Sequence, residues 1–353
     1  MKSNIKSNTE RRIRILHCPV EVGGQAWMIS RAERRLGHKS DHMVFSRSYL
    51  GYPADYNLNF KKNYFFVNLI KAIVFLAKVI RKYDVFHFYY AKSILPLFLD
   101  LPILKIFRKK IFFTFQGSDI RRRGYFLRRF KIDVYKDCKE IGHKKFFDFF
   151  RLLRLKIALF FANKTFVLNP DLKLISPTSE LIPYGNADLN EWSRVEFKKK
   201  DDPLVILHAP TNSSIKGTKY LIEAVSRLKK EGYPVRLRLL EGIKHNQMKE
   251  LCQDADIVVD QLLIGWYGGF AVETMALGKP VVCYINEGLS YLVPWAKDIP
   301  ILNANVGSLY DKLKWMIQNP KGREKIGRTG RQFVEKWHDP VKIAEKLTKL
   351  YKK

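Results

Sequence analysis

Apolar and polar positions fall into blocks along most of the chain: a short apolar run, a glycine-rich or polar loop, then a longer amphipathic stretch. The runs "IRILHCP" (13–19), "HMVFS" (42–46), "DVFHFY" (84–89), "KIFFTF" (110–115), "KTFVLN" (164–169) and "LIPYG" (181–185) have the length and the β-branched and aromatic content of buried strands. A helix is predicted from Ala26 to about Leu36, stopped by Gly37. A second series starts at "PLVILHAP" (203–210) and continues through the helical "GTKYLIEAVSRLKKEG" to "VRLRLLEG", "DIVVDQLL" and "PVVCYI". Strands alternating with helices predict parallel α/β sheets, and the polar stretch 187–203 between the two series reads as a linker. The expected organisation is a first domain over 1–188, joined by a returning helix at about 339–353, and a second domain over 189–338. Two doubly wound domains in tandem place their strand-end loops around one cleft.

Two amphipathic stretches depart from this pattern. In "NYFFVNLIKAIVFLAKVIRK" (63–82), Asn68, Lys71, Lys78 and Lys82 share one narrow stripe and nearly everything else is apolar. The stretch is too interrupted to span a bilayer. It predicts a core helix whose lysines reach water, with an interfacial membrane helix as the alternative. "HKKFFDFFRLLRLKIALFFANK" (143–164) repeats the theme, and "IRRRGYFLRRFK" (120–131) adds basic and aromatic residues. Together they favour a membrane surface over nucleic acid.

Composition sharpens the partner question. The 353 residues exceed one ordinary core, which supports two domains. The net charge of +30 is unevenly spread: residues 1–180 carry 36 Lys and Arg against 14 Asp and Glu, and residues 181–353 carry 28 against 20. Such a field attracts phosphates on nucleic acid, bilayer or nucleotide alike. Cys18, Cys138, Cys252 and Cys283 lack metal or disulfide spacing, the histidines lack metal spacing, and no secretory signal is seen. A cytoplasmic protein without a bound metal or cofactor is the expectation.

The stretch "IGWYGGFAVETMALGKPVVCYI" (264–285) carries the most chemistry. It reads as loop, helix and strand, with Gly268 and Gly269 letting the backbone approach a ligand and the helix start favouring an anion. Read alone, it fits equally a tight turn with Glu273 complementing the helix N-terminus.

"GGFAVETMALGKPVV" resembles the donor-site signature of the family 4 glycosyltransferases, retaining enzymes of GT-B fold. Five further segments resemble family motifs: "VGGQAWMISRAERRLGH" (22–38), "DVFHFYYAKS" (84–93), "TFQGSDIR" (114–121), "VLNPDLKLISPTSELIPYGNADL" (167–189) and, in the second domain, "HAPTNSSIKGTKYLIEAVSRL" (208–228). The resemblance covers about residues 13–350. It implies an α/β GT-B fold of two Rossmann-like domains and transfer of a sugar from a nucleotide-sugar donor to a glycan or lipid-linked acceptor. It assigns catalytic positions to Lys216, Glu273 and Gln116, with Lys216 facing the departing diphosphate and Glu273 holding the ribose hydroxyls. Donor contacts fall to Gly23, Gly24, Thr211, Asn212, Tyr267, Gly268, Gly269 and Phe270. His87, expected at a strand end facing the cleft, and Asp119 lie on the acceptor side.

The sequence also departs from the family pattern. Gly265 stands where the first glutamate of E-x7-E belongs, Thr211 replaces an arginine, Gln116 a histidine, Tyr89 the second histidine of H-x-H and Tyr184 an asparagine. The resulting expectation is a glycosyltransferase of cell-surface polysaccharide or glycolipid synthesis, peripheral at the inner face of an anionic membrane and without a nucleic-acid partner. A catalytically silent GT-B scaffold that binds a partner subunit is the alternative.

Overall fold

The computed structural model describes residues 12–137, 145–195 and 203–353; Cys138, the first eleven residues and 196–202 of the expected linker lie outside them. Seven strands form the first sheet: β1 (Arg14–Cys18), β2 (Lys39–Val44), β3 (Tyr56–Asn57), β4 (Val85–Tyr89), β5 (Lys110–Phe115), β6 (Lys164–Val167) and β7 (Glu180–Leu181). All pairings are parallel, in the order β3-β2-β1-β4-β5-β6-β7. Strand residues alternate between two apolar layers. Ile15, Val85 and Phe112 join one cluster, while Leu16, Phe86 and Phe113 join another. Burial on both faces explains why these strands read as continuous apolar runs.

The helices α1 (Gln25–Arg35), α2 (Phe65–Val79), α3 (Asp100–Ile106), α4 (Arg123–Arg129), α5 (Val134–Asp137), α6 (Lys145–Phe161) and α7 (Pro170–Lys173) belong to this half. Buried Ala72, Phe75 and Leu76 of α2 share a layer with Leu101 and Leu104 of α3 and with Leu155 and Ala158 of α6. The opposite face receives Ile29 of α1.

The second sheet is also parallel, in the order β12-β11-β10-β8-β9, from β8 (Leu204–His208), β9 (Val235–Leu239), β10 (Ile257–Val259), β11 (Val281–Cys283) and β12 (Leu302–Asn303). Its helices are α8 (Ser213–Lys216), α9 (Thr218–Lys230), α10 (His245–Gln253), α11 (Gly269–Ala276), α12 (Leu309–Gln318) and α13 (Pro320–Phe333). The last helix, α14 (Pro340–Lys352), packs on the first sheet: Ile343, Leu347 and Tyr351 pack with Ile15, Ile29 and Val85. Lys110 Nζ donates to the Tyr351 and Lys352 carbonyls at 2.9 and 3.1 Å. Strand order reverses between β1 and β4 and again between β8 and β10, so the loops after these strands frame crevices suited to ligands.

One expectation is corrected in part. α2 adds Ala72, Phe75, Leu76 and Val79 to the core and leaves Lys78, and Lys82 just beyond it, exposed as expected, but its outward side also carries Phe66, Ile70, Ile73 and Val74, each roughly half exposed or more. Lys71 turns inward to the carbonyls of Leu58 and Asn59. The pattern was ambiguous because a helix that is apolar nearly all round does not reveal which side faces the sheet. The 120–131 segment is partly buried, with Arg128, Arg129 and Lys131 exposed. Arg121 is buried on Asp171 at 2.7 Å, Phe126 and Tyr135 pack with Leu263, and Tyr220 of α9 donates to Asp137 at 2.8 Å. No helix among the described residues is long and apolar enough to cross a membrane.

Candidate active site

At the reversal point of the second sheet, β8 delivers residues 209–212 to the crevice. Asn212 caps α8, its side-chain oxygen accepting from the Ile215 N–H at 3.0 Å, and Thr211 beside it is exposed. One turn later Gly217 adopts φ 79°, and a Cβ there would lie 3.1 Å from Leu262 Cβ, so only glycine lets the chain turn here and leave Lys216 over the crevice. Lys216 Nζ donates to Asp260 Oδ1 at 3.0 Å and to Gln261 Oε1 at 2.7 Å. The other Asp260 oxygen accepts the Gly268 N–H at 2.7 Å. A Cβ on Gly268 would sit 3.4 Å from Lys216 Nζ. The lysine therefore lies against the glycine pair, where α11 starts with unpaired N–H groups.

Glu273 lies one turn inside α11 rather than at its entrance, and it is 4% exposed. Its Oε1 accepts from His245 Nε2 at 2.9 Å, Asn186 Nδ2 at 3.0 Å and Tyr52 OH at 3.5 Å. Among the described residues no hydrogen bond reaches Oε2. The three donors come from α10, from the segment joining the sheets and from the loop after β2. The Tyr52 ring also packs at a tilt of 31° on His245, centroids 4.3 Å apart, and the His245 backbone N–H donates to the Leu50 carbonyl at 2.8 Å. Glu273 thus sits where the halves meet. Burial alone would lower the His245 pKa, but the hydrogen bond and charge of Glu273 outweigh it and raise it above the ordinary value.

The glycine loop of the first half reaches the same place. Gly24, at φ 78°, packs so closely that a Cβ would lie 2.5 Å from the Tyr52 ring, and its N–H donates to Glu21 Oε1 at 2.6 Å. Gly269 is held almost as tightly, since a Cβ there would lie 2.7 Å from Asn186 Nδ2. Gly23 turns the loop at φ 62° with open space around it. Burial pushes the Glu21 carboxyl up to about 7, against the pull of backbone N–H groups and His245. Glu21 Oε2, Asn186 Oδ1 and Gln116 Oε1 are buried without a hydrogen-bond partner. Glu21 Oε2 faces the buried His42 Nδ1 at 3.7 Å, whereas the orphaned Asn186 and Gln116 oxygens are the acceptors that a ligand's hydroxyl or amide donors would satisfy.

The structure thus gathers Gly24, Gly269 and Glu273 around Tyr52 and Asn186, and Lys216 against Gly268. Other expected residues lie elsewhere. His87 is not at the cleft: it lies within β4, fully buried, between Tyr351 OH and Thr114 Oγ1, and burial lowers its pKa well below the ordinary value. The Tyr267 side chain is fully buried away from the crevice, accepting from Trp295 Nε1 at 2.8 Å and meeting His338 Nε2 at 3.0 Å. Phe270 is half-buried in the first turn of α11. Asp119 accepts the N–H groups of Gln116 and Gly117, a loop-shaping role, while burial pushes its pKa up to about 6. It also lines a cavity with Tyr90, Lys92, Arg151 and Arg154.

Asp260, Gln261, Glu21, Tyr52, Asn186 and His245 were not foreseen. Only Asp260 left a signal, as the one acidic residue ending an apolar strand. Gly265, in place of the family's first glutamate, has φ 79°, and a Cβ there would approach Asn286 Cβ to 3.1 Å. At that point a glutamate would strain the left-handed backbone and require Asn286 to shift.

No protein-family model matches the chain, and no curated protein matches its sequence significantly. Solved structures do match it over nearly its whole length. Sucrose-phosphate synthase from Thermosynechococcus elongatus superimposes with a TM-score of 0.68 at 16% identity, covering 96% of this chain and 98% of that one. HepE from Anabaena, solved with UDP-glucose, gives 0.63 at 13%, covering 96% and 99%.

The fold is GT-B.

The GT-B scaffold also carries a UDP-N-acetylglucosamine 2-epimerase described from Listeria monocytogenes, TM-score 0.54 at 11% identity over 96% and 95% of the chains. The GT-B architecture therefore explains the crevices, and the chemistry must be read from the side chains.

Proposed function

We propose that the protein is a glycosyltransferase resembling family 4, moving a sugar with retention from a nucleotide sugar to an acceptor held on the first half. The carrying observation is Lys216 Nζ lying against Gly268 at the start of α11, where a cation and unpaired N–H groups face one crevice. Charge developing on a departing diphosphate needs such fixed donors. In the reaction the acceptor oxygen bonds to the anomeric carbon, the bond from that carbon to the diphosphate breaks, and the hydroxyl proton passes to the leaving phosphate oxygen. No protein base, metal or cofactor is required in this scheme.

Lys216 and the first turn of α11 stabilise the leaving group, with Thr211 at the crevice mouth. Glu273 Oε2 accepts from a ribose hydroxyl while Oε1 holds the two halves together. Gln116, with its orphaned Oε1, positions a sugar hydroxyl. The domains divide near 188/189, with α14 returning to the first. The exposed apolar face of α2 and the basic first half support peripheral attachment to an anionic membrane, which we place at the cytoplasmic face.

Thermal stability measured with UDP-, GDP-, ADP- and dTDP-sugars tests the reading. One nucleotide class should raise the melting temperature of the protein and fail to do so for Lys216→Ala. If no member of the panel does, or if the variant responds equally, the assignment is wrong.

A further inference from the structure

A cavity lined by none of the donor-side residues described above lies on the first half. This cavity of about 380 Å³ runs between α2 and the segment that follows β4, walled by Phe65, Leu69, Ala72, Leu95, Leu97 and Phe98. Its volume is in the range of small-molecule sites, about 300–1,000 Å³, and its wall is almost wholly apolar. Tyr90, Ala91, Leu97 and Phe98 account for four of the seven non-glycine residues with positive φ among the described residues. Backbone held this way gathers at binding sites.

The cavity ends at Lys92 and Arg154, which also line the neighbouring cavity of about 520 Å³ with Tyr90, Ser118, Asp119 and Arg151. Burial lowers the Lys92 pKa, and the nearby charge of Arg154 lowers it further. No carboxylate among the described residues pairs with either. Asp119 is turned to backbone N–H groups and Asp148 is paired with Arg151. An apolar slot therefore opens onto two cations that no carboxylate among the described residues neutralises, at the C-terminal ends of β4 and β5, on the side where the acceptor is proposed to bind.

The surface around the slot matches. Phe66 and Leu97 are 77% and 85% exposed, and Ile70, Ile106 and Phe149 add to the same layer of α2, α3 and α6. Monomeric proteins seldom leave so much apolar surface in contact with water. A slot for an apolar chain, a cation pair for its head and an apolar rim together fit a ligand drawn from a bilayer.

We propose that this slot binds the hydrocarbon chain of a lipid phosphate or diphosphate whose head sits between Lys92 and Arg154. Resting on the glycosyltransferase reading, this makes the sugar acceptor an anionic lipid. The head group then lies at the strand ends, and the chain points away from the donor crevice.

Binding of farnesyl phosphate to the full chain, followed by calorimetry, tests the proposal, with inorganic phosphate and farnesol alone as comparators. Farnesyl phosphate should bind and each comparator should bind at least tenfold more weakly. Phe65→Glu and Leu97→Glu, at exposed slot residues whose replacement leaves the core intact, should each weaken binding about tenfold or more. Lys92→Ala with Arg154→Ala should do the same and reduce its salt dependence. Equal binding of farnesol, or undiminished binding by the slot variants, overturns the proposal. So does capture on phosphatidylglycerol vesicles that the slot variants leave unchanged while farnesyl phosphate does not bind, because that is surface docking alone. Melting shifts with the nucleotide-sugar panel, run on the same variants, keep the two readings apart. Lipid binding without any nucleotide response supports the slot and removes the transferase reading, whereas a nucleotide response without lipid binding removes the slot alone.

Discussion

Lys216 Nζ lies 3.0 Å from one oxygen of Asp260, and the other oxygen of that carboxylate takes the Gly268 N–H at 2.7 Å. One buried acid thus fixes both the cation and the glycine loop that the leaving group would meet. The arrangement also holds the lysine extended before any donor arrives.

Replacing Lys216 by Gln should lower kcat/KM for sugar transfer roughly 10²–10³-fold, the usual loss when one electrostatic contact to a developing charge is removed. Asp260→Asn keeps an acceptor for Gly268 but loosens the lysine, so a smaller loss is expected. Steady-state transfer assays on both variants, with melting curves to confirm folding, check the order. Equal losses would show that Asp260 acts on more than the lysine.

Glu21 offers a pH test. Its pKa in the fold, about 7, lies above the ordinary 4.5, so the fold favours the neutral carboxyl. The stability it contributes is complete below about pH 4.5 and is lost as pH rises through about 7. Glu21→Gln stays neutral throughout. It should match the parent near pH 4.5 and exceed it at pH 8 by up to about 3 kcal/mol, because each tenfold change in proton affinity is worth ~1.4 kcal/mol. His42, pushed down to about 3 by burial, works in the opposite direction in the parent, so the comparison and not the parent's own curve is the measurement. Denaturant melts of both proteins at pH 5, 6.5 and 8 decide it.

Gly217→Ala should damage both stability and activity. The left-handed backbone there costs an alanine about 1–2 kcal/mol. The contact with Leu262, 3.1 Å from the added methyl, displaces the turn that carries Lys216. A lowered melting temperature combined with weakened nucleotide binding is the expected pair of results.

Tyr351→Phe separates framework from chemistry. It leaves His87 Nδ1 without its partner in a fully buried position, at a cost of about 1–3 kcal/mol. Stability should fall by that amount while nucleotide binding is unchanged. A loss of binding at full stability would return His87 to the site.

The strands and both glycine loops were legible because parallel strands buried on two faces leave uninterrupted apolar runs, and glycines at strand ends have few other uses. Lys216 was singled out only through the resemblance of its Lys-Gly segment, since a lysine at the head of a helix is otherwise an ordinary solvated side chain. The partners of Glu273 were not legible, since Asn186 and Tyr52 are 87 and 221 positions away and nothing local to them marks a shared acceptor. His87 was misplaced because a histidine in a strand reads the same whether its ring meets solvent or Tyr351. The outward apolar face of α2 escaped for a related reason: periodicity locates a polar stripe but does not say which neighbour covers the rest.

The packing of α14 on the first sheet bears on how the chain is made. Tyr351 meets His87 across 264 positions, so a nascent first half lacks one wall until the segment near residue 351 has left the ribosome. Translation cannot complete the two halves one after the other. The early half must wait, partly open and in need of protection from aggregation, while its sibling is still being synthesised.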